Sequence, residues 1–579
     1  MIEFIVANIA PIMFFTLVIF LLSGFPVAFA LAANGLVFGL IGIKLGLMPA
    51  ELLQALPSRI LGILSNDTLL AIPFFTFMGL LLERSGMAED LLDTIGQLFG
   101  PLRGGVAYAV IFVGALLAAT TGVVAASVIS MGLISLPIML KYGYDKKVAS
   151  GVIAASGTLA QIIPPSLVLI IMADQLGRSV GDMYQAAFLP GLILTLMYAG
   201  YIFLLSMIKP KWVPALPLEA RNLREDNGNS GVISLLLLTT ASSLAGYAYA
   251  LYFKQAHPSV ATDELIVYSV AVGIGFAFTM ASINRWFKIG LLSRMAEKVV
   301  FVLVPPLALI FLVLGTIFIG MATPTQGGGM GAFGAMILAM MNRRLNWKLT
   351  KQALDSTARL SSFVMFILIG STVFSLVFRG INGDIWVEHL LTSLPGGQIG
   401  FLIAVNILFF VLAFFLDFFE LAFIVVPLLA PAAEKLGIDL IWFGVLLGVN
   451  MQTSFMHPPF GFALFYLRSV APASIKTTQI YWGAVPFVII QIIMVGVLIA
   501  FPQLVTMGLD KQVEVDTDTV EIVVPGSDVP EDENAPVHFD EAPKEGADAP
   551  AGPDAIPAPG ADDDAAKALE KAMQGGDKK

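Results

Sequence analysis

The sequence predicts an all-α polytopic membrane protein, built as an inverted repeat with two re-entrant helical hairpins, two proline-broken helices and about twelve full transmembrane helices. Of its 579 residues, 57% are hydrophobic and 13% charged, whereas soluble domains are about half apolar and a quarter charged. The apolar stretches have room for a dozen bilayer spans of about 20 residues each. Cysteine is absent, which excludes disulfides, thiolate metal sites and cysteine catalysis. The composition therefore excludes an ordinary soluble enzyme.

Twelve segments have the composition of full spans. They lie at residues 5–22, 25–46, 68–83, 148–173, 184–208, 232–253, 264–283, 299–320, 326–341, 361–378, 440–467 and 480–504. The first segment lacks a basic region and a cleavage site, so we interpret it as a retained span. Lysine and arginine cluster in alternate loops, which the positive-inside rule assigns to the cytoplasm. This orientation places the N-terminus and the C-terminal tail outside.

Two further apolar blocks do not fit single spans. Residues 104–140 carry no charge, and one helix of that length would be about 55 Å long, against a hydrocarbon core of about 30 Å. We therefore predict a re-entrant hairpin with its tip at residues 119–122, entered from the cytoplasm because basic residues flank it. The second block, residues 399–433, is interrupted only by Asp417 and Glu420 and has no positive excess at its flanks. We expect it to enter from the opposite side.

The order of features repeats along the chain. In each half an amphipathic stretch and a hairpin precede a double proline, which is Pro164-Pro165 and then Pro458-Pro459. The first half starts outside and the second inside, so the repeats are inverted. The predicted organisation is a first repeat at residues 1–210, an insertion with two extra transmembrane helices at 211–298, a second repeat at 299–505 and a disordered acidic tail at 506–579.

The double prolines mark the predicted chemistry. Each removes N–H donors in mid-span, and irregular backbone at that depth is tolerated only where it lines a cavity or is buried in protein. Freed carbonyl oxygens suit Na⁺, and inverted repeats with broken helices are typical of secondary transporters. We therefore predict a cation site in each repeat with the substrate between them. The first site would draw on the hairpin tip and the first break, at Ala119, Thr120, Gly122, Gly157, Thr158 and Pro164.

Polar residues near the hairpins and breaks are the candidates for substrate contact. Asp417 is foremost, because a carboxylate in an apolar re-entrant segment is costly and by default functional; the structural alternative is a cap at the tip. Arg379 is a candidate counter-ion for an anionic substrate, or marks a membrane boundary. Thr121 and Ser166 are small hydrogen-bond donors near the tip and the break. No G-x-x-x-x-G-K-[ST] motif occurs, so ATP is not the energy source within this chain.

Six motifs together resemble the large membrane (M) subunit of the tripartite ATP-independent periplasmic (TRAP) transporters. They are GFPVAFALA, IPFFTFMGLLLERSGMAEDLLD, TTGVVAASVISMGLISLPIM, SGTLAQIIPPS, ATPTQGGGMGAFGA and QTSFMHPPFG. The resemblance covers residues 1–210 and 300–505, and the insertion resembles the mannitol/chloroaromatic-type subgroup. It implies Na⁺-driven import of a small organic acid, with 2-oxo or 2-hydroxy acids favoured, by an elevator mechanism in the bacterial inner membrane.

The resemblance also implies partners and site residues. The expected partners are a separate small four-helix membrane subunit, a periplasmic substrate-binding protein and membrane lipid, with no nucleic acid; Na⁺ is the coupling ion, and no other cofactor is expected. Na⁺ ligands are implied at the first hairpin tip with residues 157–164, and in the second broken helix at Thr453, Ser454, Met456 and Pro458. Substrate contacts are implied at Thr121, Ser166 and Asp417, with Arg379 nearby.

Two other classes of protein are weighed against this interpretation. A stand-alone Na⁺/dicarboxylate-type carrier shares hairpins and inverted repeats but works without a binding protein, so an adjacent gene for a binding protein would favour the tripartite system. A membrane-embedded hydrolase would need two carboxylates that meet from separate helices. Asp417 and Glu420 lie three residues apart on one element, which argues against the hydrolase.

Overall fold

The computed structural model describes residues 2–223, 225, 231–258, 260–414, 416–459 and 461–509. The side chains of Ile2, Leu22, Thr120, Thr121 and Asp263 are outside this description, as is the predicted acidic tail from residue 510 onward. Regular secondary structure in the described residues is helical. The predicted all-α class is therefore confirmed for this part of the chain.

The helices follow one another with short connections. In the first half they are α1 (Ile2–Ala7), α2 (Ile9–Leu22), α3 (Val27–Lys44), α4 (Leu56–Leu64), α5 (Asp67–Arg84), α6 (Met87–Phe99), α7 (Gly105–Thr121), α8 (Val124–Lys141), α9 (Lys146–Thr158), α10 (Leu167–Leu176) and α11 (Val180–Ile208). The predicted insertion contains α12 (Val232–Ala256) and α13 (Thr262–Phe287).

The second half contains α14 (Arg294–Phe318), α15 (Pro324–Met341), α16 (Trp347–Gly380), α17 (Gly383–Thr392), α18 (Gly397–Leu412), α19 (Phe418–Glu420), α20 (Val426–Lys435), α21 (Leu440–Met456), α22 (Phe462–Val470), α23 (Thr477–Ala500) and α24 (Gln503–Thr506). A π-helical turn, Leu421–Val425, separates α19 from α20. Short 3-10 turns occur at Ala50–Ala55, Leu159–Gln161, Pro210–Trp212 and Leu218–Ala220.

Within the described residues, 8 helices are long and apolar enough to cross a membrane, or up to 10 if each of two bent helix pairs is one span. One of the eight is α8, an arm of the first hairpin. Several predicted spans do not meet this criterion. The first is divided at Asn8, and two are broken at the double prolines. Helix α15 begins with polar residues and glycines, which lower its hydropathy. The chain is a multi-pass membrane protein, and the number twelve stays a prediction.

The ends of both predicted re-entrant segments meet. At the base of the first, the Val106 N–H donates to Tyr144 Oη at 3.2 Å. At the base of the second, Gln398 Nε2 donates to the Leu436 carbonyl oxygen at 2.7 Å. Each segment therefore returns to the level at which it started, which is the geometry expected of a hairpin. The side from which each enters a membrane stays a prediction.

The packing contacts between the two halves of the chain occur in symmetric pairs. Helix α5 packs against α15, and α3 packs against α16; likewise α10 packs against α21, and α22 packs against α9. In the order of features, α3 corresponds to α15, α5 to α16, α9 to α21 and α10 to α22. For each contact there is therefore a second contact in which each helix is replaced by its counterpart from the other half. An inverted repeat would produce this arrangement.

The predicted insertion forms a tight helical pair on one side of the core. A Cβ built on Gly246 would lie 2.6 Å from the Ser269 carbonyl oxygen, so α12 and α13 approach closely through small residues. The pair packs against α14. Together they bury a small hydrophobic cluster, separate from the main core, at Leu238, Ala281 and Val300.

Candidate functional site

The tip of the first hairpin lies against the first double proline. Helix α7 ends at Thr121, and Gly122 follows with a φ of +58°, a left-handed conformation that favours glycine. A Cβ built on Gly122 would lie 3.1 Å from Leu167 Cγ and 3.6 Å from the Pro165 carbonyl oxygen. The structure thus brings the predicted tip and the predicted break together. The side chains of Thr120 and Thr121 are outside the described residues.

The end of α9 is buried beside this tip. A Cβ built on Gly157 would lie 2.3 Å from Val128 Cγ2, so glycine lets α9 approach α8 closely. Thr158 is fully buried, and its hydroxyl donates to the Ala155 carbonyl oxygen at 2.9 Å. Ala119 at the tip is also buried. Backbone carbonyls and the Thr158 hydroxyl are therefore the oxygen atoms that this region offers to a cation.

Ser166 closes the turn that follows the first double proline. Its hydroxyl donates to the Gln161 carbonyl oxygen at 2.6 Å, across the Pro164–Pro165 cis peptide. Tyr184 Oη donates to the Ser166 carbonyl oxygen at 3.4 Å, and the Ser166 side chain is fully buried. In this conformation the hydroxyl proton of Ser166 is donated to a hydrogen bond within the turn. Its role as a substrate contact stays a prediction.

Two buried glutamines escaped the sequence analysis. Gln161 is 1% exposed and Gln452 0%, and neither side-chain amide has a hydrogen-bond partner among the described residues. A buried polar group left without a partner costs about 1–3 kcal/mol, so an ion, water or substrate is the expected partner. The two residues come from elements in contact, because α21 packs against the 3-10 turn Leu159–Gln161. The signal that could have found them is a primary amide within an otherwise apolar segment.

Asp417 begins the short helix α19 at the second tip. The Glu420 N–H donates to Asp417 Oδ1 at 3.1 Å, and the Asp417 N–H donates to Glu420 Oε2 at 3.0 Å. This reciprocal pair is a capping box, which satisfies two N–H groups that the helix start would leave free. The structural alternative weighed for Asp417 is therefore present. Asp417 is partly exposed as a residue, and a role in transport would be additional to this cap.

The second tip lies against the second double proline. The His457 ring stacks on Phe414 with 4.2 Å between centroids, and Phe418 contacts Phe455 at 6.1 Å. The remaining predicted Na⁺ ligands lie at the buried C-terminal end of α21. Thr453 and Ser454 donate their hydroxyls to backbone carbonyls one turn earlier in α21, at 2.7 Å each, and Met456 is fully buried before the Pro458–Pro459 cis peptide. Each hairpin tip is thus paired with the double proline of its own half.

Each hairpin is also hydrogen-bonded to a neighbouring long helix. Ser130 in α8 donates to Glu83 Oε1 in α5 at 2.5 Å. Ser371 in α16 donates to the Phe423 carbonyl oxygen, in the π-helical turn of the second hairpin, at 2.5 Å. Because α5 and α16 are repeat counterparts, the two hairpins are held in corresponding ways. The second hydrogen bond satisfies a carbonyl in an irregular turn.

Arg379 lines a polar cleft of about 370 Å³ between α4, α5, α10, α16 and the second hairpin, which contributes Phe423 and Pro427. Arg59 lines the same cleft, and both arginines are exposed. Neither arginine has an acidic partner among the described residues. One carboxylate of the cleft, Asp174, accepts from Asn66 Nδ2 at 2.6 Å and from Gln175 Nε2 at 2.9 Å. The cleft therefore presents two guanidinium groups that suit an anion. Sequence reasoning missed Arg59, although an arginine on the side predicted to be outside is unusual.

Among the described side chains, the predicted substrate residues Ser166, Arg379 and Asp417 do not form one cluster. In the described contacts, Ser166 bonds within the first Pro turn, Asp417 bonds to Glu420, and Arg379 lines the separate cleft. The elements that carry them are nevertheless adjacent, because α10 packs against α21 and against the π-helical turn of the second hairpin. No group of three or more His, Cys, Asp or Glu residues in the described chain has the arrangement of a metal site.

Comparison with known proteins gives a consistent result. Residues 14–504 match the family model described as the tripartite ATP-independent periplasmic transporter, DctM component. The C4-dicarboxylate TRAP transporter large permease protein DctM of Pseudomonas aeruginosa is 25% identical over 436 residues, covering 75% of this chain and 84% of that protein. The 2,3-diketo-L-gulonate TRAP transporter large permease protein YiaN of Escherichia coli is 24% identical over 489 residues, covering 84% and 95%.

Among solved structures, the chain is similar to the Alcanivorax borkumensis YdaH transporter. The two share 14% sequence identity with a TM-score of 0.46, over 79% of this chain and 91% of the other.

Proposed function

Because the chain belongs to the tripartite ATP-independent periplasmic (TRAP) transporter family, as the large membrane subunit, we propose that it imports a small organic acid by coupling uptake to Na⁺. The observation that carries this proposal is the pairing of each hairpin tip with a proline-broken helix, at Gly122 with Pro165 and at Phe418 with Phe455. Such breaks concentrate backbone oxygens at membrane depth, which is how secondary transporters hold a coupling ion.

Na⁺ is favoured by the atoms that each pairing offers. In the first half they are carbonyls and hydroxyls around Gly157, Thr158 and Pro164; in the second they lie around Thr453, Ser454 and Pro458. Hydroxyl and carbonyl oxygens suit a hard monovalent cation. The side-chain amides of Gln161 and Gln452, which have no hydrogen-bond partner in the described part of the chain, add two further amide oxygens on elements that are in contact. We propose these groups as the surroundings of the coupling ions.

The substrate is proposed to be an organic acid, with 2-oxo or 2-hydroxy acids favoured. Two similar permeases are named for acids, C4-dicarboxylates and 2,3-diketo-L-gulonate, and the second is itself a 2-oxo acid. Arg379 and Arg59 supply guanidinium groups that bind carboxylates well. Asp417, Thr121 and Ser166 are proposed to contact the substrate closer to the hairpin tips.

We propose an elevator motion in which both hairpins and both broken helices move against α3, α5, α15 and α16. The hydrogen bonds Ser130–Glu83 and Ser371–Phe423 join these two groups of elements. Hydrogen bonds contribute about 1 kcal/mol each to stability, so they can break and re-form during a cycle. The repeat boundaries at residues 1–210 and 299–505 belong to this proposal.

The transporter would work in the bacterial inner membrane with two other proteins. A small four-helix membrane subunit would widen the stationary part, and a periplasmic binding protein would deliver the substrate. Both follow from membership of the large-subunit family. The similar proteins are permeases, which agrees with a protein that is not an enzyme.

Uptake of labelled pyruvate into proteoliposomes that hold this chain and the small subunit tests the proposal. Four conditions are needed, with and without an inward Na⁺ gradient and with and without the binding protein. We expect uptake only when both are present. Uptake without the binding protein would indicate a stand-alone carrier. Uptake that needs the binding protein but ignores Na⁺ would remove the cation-site assignments.

The two arginines of the cleft should act on substrate affinity. We expect Arg59→Gln and Arg379→Gln each to raise the half-saturating substrate concentration by up to about fivefold, because an exposed charge pair contributes about 0.2–1 kcal/mol. The maximal rate should change little, and added salt should reduce the difference between wild type and variants. Kinetics at saturating binding protein measure both quantities. Arg103→Gln, at an exposed arginine before the first hairpin, is the matched control, and unchanged affinity in both cleft variants would refute the assignment.

A further inference from the structure

A cleft of about 950 Å³ lies between the insertion and the core, beside the contact of α13 with α14. It lies between α13 on one side and α14 and α15 on the other. Its walls are mostly apolar and include Val267, Phe278, Phe301, Leu312, Ile319 and Leu338. The Thr316 hydroxyl in the wall donates to the Leu312 carbonyl oxygen of its own helix at 2.8 Å. The middle of the cleft therefore offers an occupant little besides apolar contact.

The cleft runs along most of the membrane thickness. The α13 residues that line it extend from Val267 to Arg285, a distance of about 27 Å at 1.5 Å per residue, compared with a hydrocarbon core of about 30 Å. Trp286, next to Arg285, is 86% exposed. Tryptophan is enriched at the level of lipid headgroups, so the Arg285 end of the cleft lies at a membrane surface.

Arg285 is a positive charge at that end with no acidic partner among the described residues. Its guanidinium lies over the Phe301 ring at 4.9 Å from the centroid, and no described carboxylate pairs with it. Nearby cations are paired: Arg344 with Asp90 at 3.1 Å and Lys298 with Asp93 at 2.7 Å. Asp90 also lines the cleft, but Arg344 balances its charge. Within residues 285–298, Lys288 also has no described ion pair. Glu297 accepts from Asn284 Nδ2 at 2.6 Å, and Glu225 accepts from the Arg294 N–H at 2.6 Å. The positive excess at this end is therefore small and lies at Arg285 and Lys288.

We propose that this cleft binds an anionic phospholipid of the cytoplasmic leaflet. Its phosphate would contact Arg285, and its acyl chains would lie along α13 and α14. Basic pockets between transmembrane helices on the cytoplasmic side typically bind such headgroups, and apolar walls at membrane depth suit acyl chains. The lipid would join the insertion to the core where their own side chains leave a gap. This proposal is independent of the substrate and of the coupling ion.

Native mass spectrometry of the full chain in detergent tests the site. Dioleoyl phosphatidylglycerol and dioleoyl phosphatidylcholine are added in separate titrations. We expect wild type to retain phosphatidylglycerol more strongly. Arg285→Gln should weaken phosphatidylglycerol binding about fivefold, the effect of one basic residue near an anionic surface, and should leave phosphatidylcholine binding unchanged. Arg103→Gln is the control for loss of a positive charge elsewhere.

A second variant tests the acyl-chain part of the cleft. A Cβ built on Gly275 meets nothing within 4 Å, and this residue lines the cleft. Gly275→Phe should therefore fold normally, fill the space and weaken the binding of both lipids, while thermal unfolding confirms that the protein is intact. Equal retention of the two lipids by wild type would overturn the proposal. So would unchanged binding in both variants, whereas displacement of lipid by the small subunit would assign the cleft to a protein partner instead.

Discussion

Asp417→Ala is expected to reduce Na⁺-driven uptake at least about tenfold while the protein remains folded. A charged group that hydrogen-bonds a ligand contributes about 1.5–3 kcal/mol, which corresponds to a loss of tenfold or more. The capping role of Asp417 is worth only about 1 kcal/mol, a small part of the stability of a folded domain. The expected defect is therefore in transport. Uptake and thermal unfolding of the same preparation measure the two effects.

Matched variants separate the carboxylate from the cap. Asp417→Ser keeps a side-chain oxygen that accepts from the Glu420 N–H but removes the charge. We expect it to transport as poorly as Asp417→Ala. Glu420→Gln keeps the acceptor for the Asp417 N–H and should retain uptake within about twofold. If Asp417→Ser transports like wild type, Asp417 is a cap alone, and its place in the substrate site is wrong.

Gly483→Ala is expected to destabilise the folded protein strongly. A Cβ on Gly483 would lie 2.2 Å from the Lys147 carbonyl oxygen, and one on Gly151 would lie 2.1 Å from the Gly483 carbonyl oxygen. Helices α9 and α23 thus touch backbone to backbone, and neither oxygen can move without moving a helix. Overpacking of this kind costs about 1–3 kcal/mol or more. Yield of monodisperse protein and its midpoint of thermal unfolding should both fall.

The same helix provides the control. Gly496 also lies in α23, but a Cβ there meets nothing within 4 Å. Gly496→Ala should unfold at the same temperature as wild type or slightly higher, because alanine favours the helix. The packing of α23 against α9 also bears on the predicted Na⁺ site at Thr158. Gln491 of α23 donates to Thr158 Oγ1 at 3.4 Å and to Tyr198 Oη at 2.9 Å. Normal stability of Gly483→Ala would show that a methyl group fits between α9 and α23.

The candidate site divides into residues that a pattern could reveal and residues that it could not. The two double prolines and the hairpin tips were predictable, because breaks and small polar tips stand out against apolar spans. Gln161, Gln452 and Arg59 were not singled out, because their sequence signals are weak. An amide in an apolar segment gains its meaning from burial without a described partner, and Arg59 gains it from the second arginine, Arg379, that lines the same cleft.

The span count shows the same division. A hydropathy pattern measures composition along the chain, so it found the apolar segments at residues 148–173 and 440–467. The double prolines within them predicted that each is broken, and the structure has α9 with α10 and α21 with α22, which length criteria do not count as one span. The alternative of a cap at Asp417 was stated from the sequence. Only the hydrogen bonds with Glu420 could show that the cap is present.

The sequence by itself determined that this protein is helical, multi-pass and a member of the large-subunit family. Hydrophobic length, proline breaks and local motifs are properties of neighbouring residues. The tertiary structure alone decided which long helices meet: α5 with α15, α10 with α21, and the insertion with α14 beside a cleft that ends at Arg285. Those contacts join residues far apart in the chain. They depend on the shape and burial of packed side chains, which no local pattern contains.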